Sequence, residues 1–183
     1  MELINQLLIA LPRPSDPTFN RAVIYIIHHD RFGTAGLIIN HPTHSRVSDI
    51  MTHMEIEHDG IEQDGVVLDG GPTDSQRGFV LHSPVNYWQT TASISQHIAL
   101  TTSQDMMAAI AGNEPPENYL LTLGHCRWHG DKLEKEIRNN HWLVAPSTRE
   151  LLFRTPYSER YQKALRLAGV HSSISLTEFA GHA

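Results

Sequence analysis

Val66-Val67-Leu68-Asp69-Gly70-Gly71-Pro72-Thr73-Asp74-Ser75-Gln76-Arg77-Gly78-Phe79-Val80-Leu81-His82 is the stretch on which the reading of this 183-residue chain turns. Val66 to Leu68 and Phe79 to Leu81 have the apolar composition of strands, and the Gly, Pro and Asp residues between them break strands and favour turns. The expected local structure is strand, loop, strand. Gly70 and Gly71 tolerate positive φ and close backbone approach, Pro72 stiffens the exit, and Arg77 is a planar, permanently charged fork on a sheet edge. Such a loop either holds an anion or carries the chain across a barrel corner. Gly-Gly-Pro is turn chemistry before it is a binding motif.

Upstream of this stretch, Leu7 to Leu11 reads as a strand, and Asp16-Pro17-Thr18-Phe19-Asn20 as a turn. Residues 22–29, rich in β-branched and aromatic side chains with little polar alternation, predict a strand buried on both faces. Ala35 to Asn40 follows closely enough to make an antiparallel hairpin with it. Val47, Ile50, Met51 and Met54 have helical spacing, with Ser45 as a candidate cap. Glu55 to Gly65 collects five carboxylates without the ligand spacing of a calcium loop and reads as solvated. Downstream, His97 to Thr101 and Asn118 to Gly124 predict strands, and Thr102 to Asp105 starts a helix that Gly112 closes. Asp131 and Glu134 suggest a second capping box, with Lys132/Glu136 and Glu134/Arg138 as i,i+4 pairs. His141 to Val144 reads as a strand. Ser147 to Glu150 starts a short helix, and Pro156 opens a last one with Tyr157, Tyr161, Ala164, Leu165 and Ala168 on one face. The tail from His171 is weakly patterned. No repeat or linker divides the chain, so residues 1–183 read as one domain, or two interlocked lobes.

Apolar residues make up 40% of the chain, enough for a sizeable core, yet no run approaches a membrane span and the start lacks the basic region of a signal peptide. The single cysteine, Cys126, rules out an intrachain disulfide and suits a reducing compartment, so the expected location is the cytoplasm. Residues 1–126 carry fourteen acids against five bases, whereas residues 127–166 carry five against nine. The acidic front would repel nucleic acid, and no zinc finger, basic zipper or convincing helix-turn-helix is present, so sequence-specific DNA binding is not expected. Thirteen histidines make charge strongly pH-dependent, enough to reverse the sign of the net −6 if all were protonated.

Leu8-Ile9-Ala10, Asp16 to Tyr25, Gly36-Leu37-Ile38-Ile39-Asn40, Gly70-Gly71-Pro72, Arg77 to His82, Thr101 to Asp105 and Leu133-Glu134-Lys135-Glu136-Ile137 together resemble the bacterial AlgH/YqgE family, in order and over nearly the whole chain. The resemblance implies an α/β (α+β) fold with a mixed, bifurcated sheet folded into a pseudo-barrel and flanked by helices. It implies no particular activity, although some members carry the label of transcriptional regulator. The family's usual Gly-Tyr-Ala-Gly-Trp-x-x-Gly-Gln-Leu-Glu stands here as Gly124-His125-Cys126-Arg127-Trp128-His129-Gly130-Asp131-Lys132-Leu133-Glu134. With Arg127 in place of a Gly, either the turn is rebuilt or that Gly was not needed for its backbone angle.

Phosphate-loop, nucleophile-elbow and catalytic-cysteine motifs are absent, so no catalytic residue and no cofactor are assigned. His125, Cys126 and His129 have ligand chemistry, as do His28, His29 and Asp30. On a strand, however, His125 and Cys126 point to opposite faces and cannot share one ion, so no metal site is expected. What remains is a cleft where glycine-containing loops converge, lined by Arg21, Asn40, Gly70, Gly71, Arg77, Trp128 and Glu134. Arg21 and Arg77 would bind an anionic group, Asn40 would orient it and Trp128 would form an apolar wall. The competing reading, which we rank first, makes the arginines internal fasteners paired with Asp69, Asp74 or Glu134. Two function classes follow: a non-enzymatic binding or regulatory protein acting on a protein or small anionic ligand, or an enzyme of unrecognised mechanism in the same cleft.

Overall fold

Alternation along the central strands feeds apolar side chains to both sides of one sheet. In the computed structural model, which describes residues 2–12, 17–84 and 87–170, ten strands and four α-helices are found among the described residues. They are β1 (Gln6–Ala10), β2 (Val23–Asp30), β3 (Gly33–Ile38), β4 (Pro42–Arg46), α1 (Val47–His53), β5 (Val66–Asp69), β6 (Thr73–His82), β7 (Ala92–Ser95), β8 (Ile98–Thr101), α2 (Gln104–Ala111), β9 (Tyr119–His129), α3 (Lys132–Arg138), β10 (Trp142–Pro146) and α4 (Tyr157–Leu167). Asp16 of the expected turn and the tail from His171 lie outside the described residues.

The sheet runs β10-β1-β2-β3-β9-β6-β8-β7, and β4 and β5 branch from it. β9 is the fork. Its second half pairs antiparallel with β3, its first half pairs parallel with β5, and β6 lies antiparallel along its other edge. The fold is thus α+β, a curled and bifurcated sheet forming a half-barrel with helices against it, as the family resemblance implied.

Leu7, Ile9, Val23, Tyr25, Leu37 and Ile39 enter the core that α4 closes with Tyr161, Ala164 and Leu165. Their strand neighbours Leu8, Ala10, Ile24, Ile26 and Ile38 face the opposite side, where α3 brings Leu133. Each Leu, Ile or Val among them contributes about 1.5–3 kcal/mol on full burial. α1 and α2 cover a third cluster over Val80 and Leu121. Two-sided burial of β2 holds only for Val23–Ile26; from Ile27 the strand alternates and leaves the core.

Several local expectations are corrected. Ser45 does not cap α1: it belongs to β4, and Arg46 is the N-cap, with its N–H donating to Asp49 at 2.7 Å. Asp64 leaves the solvated acidic loop and accepts from the Ser48 N–H and hydroxyl, both at 2.9 Å. Asp131 is the N-cap of α3 without a side-chain capping bond, because its carboxylate goes to Lys135 at 2.9 Å. Glu134 faces His29 at 3.7 Å instead of Arg138.

His82, on β6, is fully buried. Its Nδ1 lies 2.9 Å from the Ser83 carbonyl and must carry the proton, so Nε2 accepts from Thr101 Oγ1 at 2.9 Å. Burial holds its pKa below the ordinary value of about 6.5. The unfolded chain therefore binds this proton first, so the stability linked to neutral His82 is complete above about pH 6.5 and is lost as pH falls below it. Denaturant midpoints should be lower at pH 5.5 than at pH 7.5. His82→Gln, which takes up no proton, should flatten that dependence.

Candidate functional site

The Gly-Gly-Pro stretch is a strand crossing. β5 and β6 lie on opposite edges of β9, so residues 70–72 must carry the chain over β9 itself. Gly70 N–H donates to the Leu123 carbonyl at 2.8 Å, and its own carbonyl accepts from Ile38 N–H at 2.9 Å. A Cβ on Gly70 would lie 2.3 Å from the Gly124 carbonyl oxygen, and one on Gly71 2.5 Å from the His125 carbonyl carbon. Of the two readings of this loop, the crossing is the one its backbone performs.

Asn40 is committed to the backbone: its Oδ1 accepts from Val23 N–H at 2.7 Å and its Nδ2 donates to the Arg21 carbonyl at 2.8 Å. Arg21 stacks over the Tyr161 ring at 4.7 Å, and Arg77 over Phe79 at 5.4 Å. Among the described residues neither arginine forms an ion pair with a carboxylate, so the fastener reading fails for both. Arg77 does lie on an open strand edge, because β8 pairs only with Val80 to His82 of β6 and the register with β9 shifts between Thr73 and Gly78. Glu134 sits on α3 against His29.

Trp128 does line a cavity, of about 270 Å³, together with Phe19, Pro72, Arg127, Lys132 and Trp142. Phe19 lies over Trp128 with centroids 6.5 Å apart and meets Trp142 edge-on at 5.4 Å. The two indoles are perpendicular at 5.8 Å. Glu136 locks this wall, since its Oε2 accepts the N–H of Trp128 at 3.0 Å and of Trp142 at 2.9 Å. Lys132 Nζ stands 4.0 Å from the other oxygen. Arg127 is an exposed residue of the lining, and among the described residues its guanidinium has no hydrogen bond or ion pair. It sits in register with Ala35 and shows no positive φ, so a Gly there is not needed for its backbone angle.

Of the seven candidate residues only Trp128 reaches this cavity, although Pro72 and Thr73 bring the crossing to its rim. Phe19, Arg127, Lys132, Glu136 and Trp142 were not foreseen. The available signal was two tryptophans bracketing a Glu-bearing helix, which becomes a site only when β9 and β10 are brought together.

Cys126 is not available for chemistry. It is 1% exposed, its Sγ lies 3.6 Å from the Gly70 carbonyl, and burial pushes its pKa well above the ordinary thiol range. A thiol-specific reagent should leave the folded protein unlabelled and modify it stoichiometrically in denaturant; fast labelling of native protein would contradict this packing. Among the described residues no three His, Cys, Asp or Glu side chains gather in a metal-binding group. Nor is any helix there long and apolar enough to cross a membrane.

A family model described as AlgH-like matches residues 7–173. A UPF0301 protein of Thioalkalivibrio sulfidiphilus is 40% identical over 179 residues, covering 98% of this chain and 96% of the relative. One from Shewanella woodyi is 41% identical over 184 residues, with 99% and 98% covered. The solution structure of AlgH from Pseudomonas aeruginosa, 32% identical, superposes with a TM-score of 0.81 over 99% of this chain and 94% of that one. A Corynebacterium diphtheriae protein at 19% identity shares the fold, with a TM-score of 0.74, 98% of this chain and 92% of that one being covered.

Proposed function

This chain belongs to the AlgH-like family, and from that premise we propose that it is a cytoplasmic, non-enzymatic binding protein of regulatory type. Its ligand is a small molecule with an anionic group and a flat apolar body. The observation that carries the reading is the exposed, unpartnered Arg127 among the lining residues of a cavity walled by Phe19, Trp128 and Trp142. A guanidinium grips a carboxylate or phosphate through two parallel hydrogen bonds, and an indole wall receives a flat ring. Catalysis is the weaker reading, because the carboxylate at the cavity is occupied by two indole donors and the thiol is buried. Direct, sequence-specific DNA binding is not part of the proposal, since the front of the chain is acidic.

Phenyl phosphate is a suitable probe, read by tryptophan fluorescence with benzyl alcohol as the neutral control. Saturable binding of the phosphate is expected. Arg127→Gln should weaken it about tenfold or more, as loss of a charge-assisted hydrogen bond does, while leaving the melting temperature unchanged. Equal binding by parent and variant, or no saturation at millimolar probe, would overturn the proposal.

A further inference from the structure

Gly78 is a glycine with no backbone reason to be one. Gly70, Gly71 and Gly124 sit where a Cβ would strike backbone atoms within 2.3–2.5 Å, whereas a Cβ on Gly78 would meet only Leu121 Cδ1, at an ordinary 3.6 Å. Its φ is not in the left-handed region. A glycine inside a strand weakens it and removes a side chain from its face; such a position marks a bulge or the close approach of a ligand, and although the β6 register shifts just before Gly78, its φ does not require glycine. What the missing side chain leaves here is space. Gly78 borders a groove of about 400 Å³ whose walls are Ile50 of α1, Met54 at its C-cap, Met107 of α2, Val80, Leu121 and Leu123.

We propose that this groove is a second binding site, separate from the aromatic cavity, for a small neutral molecule with an apolar body and one hydrogen-bonding end. Charge complementarity selects the occupant: no Asp, Glu, Lys or Arg lines the groove, and His53 is its one titratable group. A charged ligand would lose its hydration without gaining a partner. Asp105, the nearest carboxylate on α2, is already held by Ser103 and by the N–H groups of Gln89 and Met106. Ser75, Gln76 and Gln104 supply neutral polar groups at the rim for the hydrogen-bonding end. Met54 and Met107, with three rotatable bonds each, let the walls adjust to the occupant's shape. Size, apolar walls and a few polar rim groups are those of a small-molecule pocket.

The test uses full-length protein labelled with 13C in its methionine methyl groups and titrated with 1-hexanol, hexanoate and hexylammonium. With hexanol, the methyl signals of Met54 and Met107 should shift and saturate, while those of Met51 and Met106, which are fully buried away from the groove, stay in place. Both charged probes should bind at least tenfold more weakly. Gly78→Val puts a β-branched side chain into the groove, its Cβ at an ordinary 3.6 Å from Leu121 Cδ1, and should abolish the hexanol response with a melting temperature equal to or above the parent's. Gly78→Ala, the smaller filling, should weaken the response. Arg127→Gln should leave it unchanged, which separates this site from the anion proposal. Absence of saturation, equal shifts at all four methionines, equal binding of the charged probes, or an undiminished response in both Gly78 variants would each overturn the inference.

Discussion

Replacing Gly71 by alanine should destabilise the protein by about 4 kcal/mol or more, among the largest effects a single methyl group can have. Two causes add at this position. The residue holds φ at +139°, where an L side chain is strained, and the new Cβ would fall 2.5 Å from the His125 carbonyl carbon and 2.6 Å from Cys126 Sγ. Neither neighbour can give way, because His125 and Cys126 are backbone-paired within β9 to β6 and β3. Gly124→Ala should behave alike, with φ at +75° and a Cβ 2.3 Å from the Gly71 carbonyl oxygen. Gly130→Ala is the control: its φ is also positive, at +55°, but nothing lies within 4 Å, so only the backbone cost remains, about 1 kcal/mol. Thermal melts check this, with a fall of roughly 8–16 °C for the first two variants and a few degrees for the third.

Arg160→Met should cost about 3 kcal/mol, or roughly 6–12 °C in melting temperature. Arg160 is 2% exposed on the inner face of α4. Its Nε donates to the Thr155 carbonyl at 2.9 Å, its Nη1 donates to the Ile39 carbonyl, and its guanidinium lies 4.7 Å over the Tyr157 ring. Burial lowers its pKa to about 10, which leaves it charged at neutral pH. Methionine fills similar space without the donors, so two buried carbonyls lose these partners. Arg160→Lys keeps the charge but not the fork geometry and should fall between. A melting temperature unchanged in both variants would show that the guanidinium does not fasten α4 to the end of β3.

The same residue shows what could be read in the chain beforehand. Arg160 lies three positions after Tyr157 and four before Ala164, so helical spacing places it on the apolar stripe, yet its charge argued for solvent. Val23 to Ile26 announced a buried strand because β-branched and aromatic residues follow one another without polar alternation. β4 was missed because Pro42-Thr43-His44-Ser45-Arg46 contains no apolar alternation, and its ladder with β5 is irregular. For the candidate site, a charge-based choice favoured Arg21 and Arg77, which rest on aromatic rings. Arg127 gains its place from β9, which runs past Gly124 to His129 and so extends beyond the strand its composition suggested. Glu136 and Trp142 are joined to Trp128 only by three-dimensional packing between α3 and neighbouring strands.

Binding of an anionic aromatic ligand at the Trp128–Trp142 wall is tested most directly at the indole groups themselves. In a 1H–15N spectrum the three tryptophans report separately: Trp128 and Trp142 line the cavity, whereas Trp88 packs beside His82 and the α1–α2 cluster. Addition of phenyl phosphate should shift the indole signals of Trp128 and Trp142 along a saturable curve and leave that of Trp88 in place, with the response weakened in Arg127→Gln. Shifts at Trp88 alone, or no shift at Trp128 and Trp142 at saturating probe, would contradict the assignment of this cavity as the binding site.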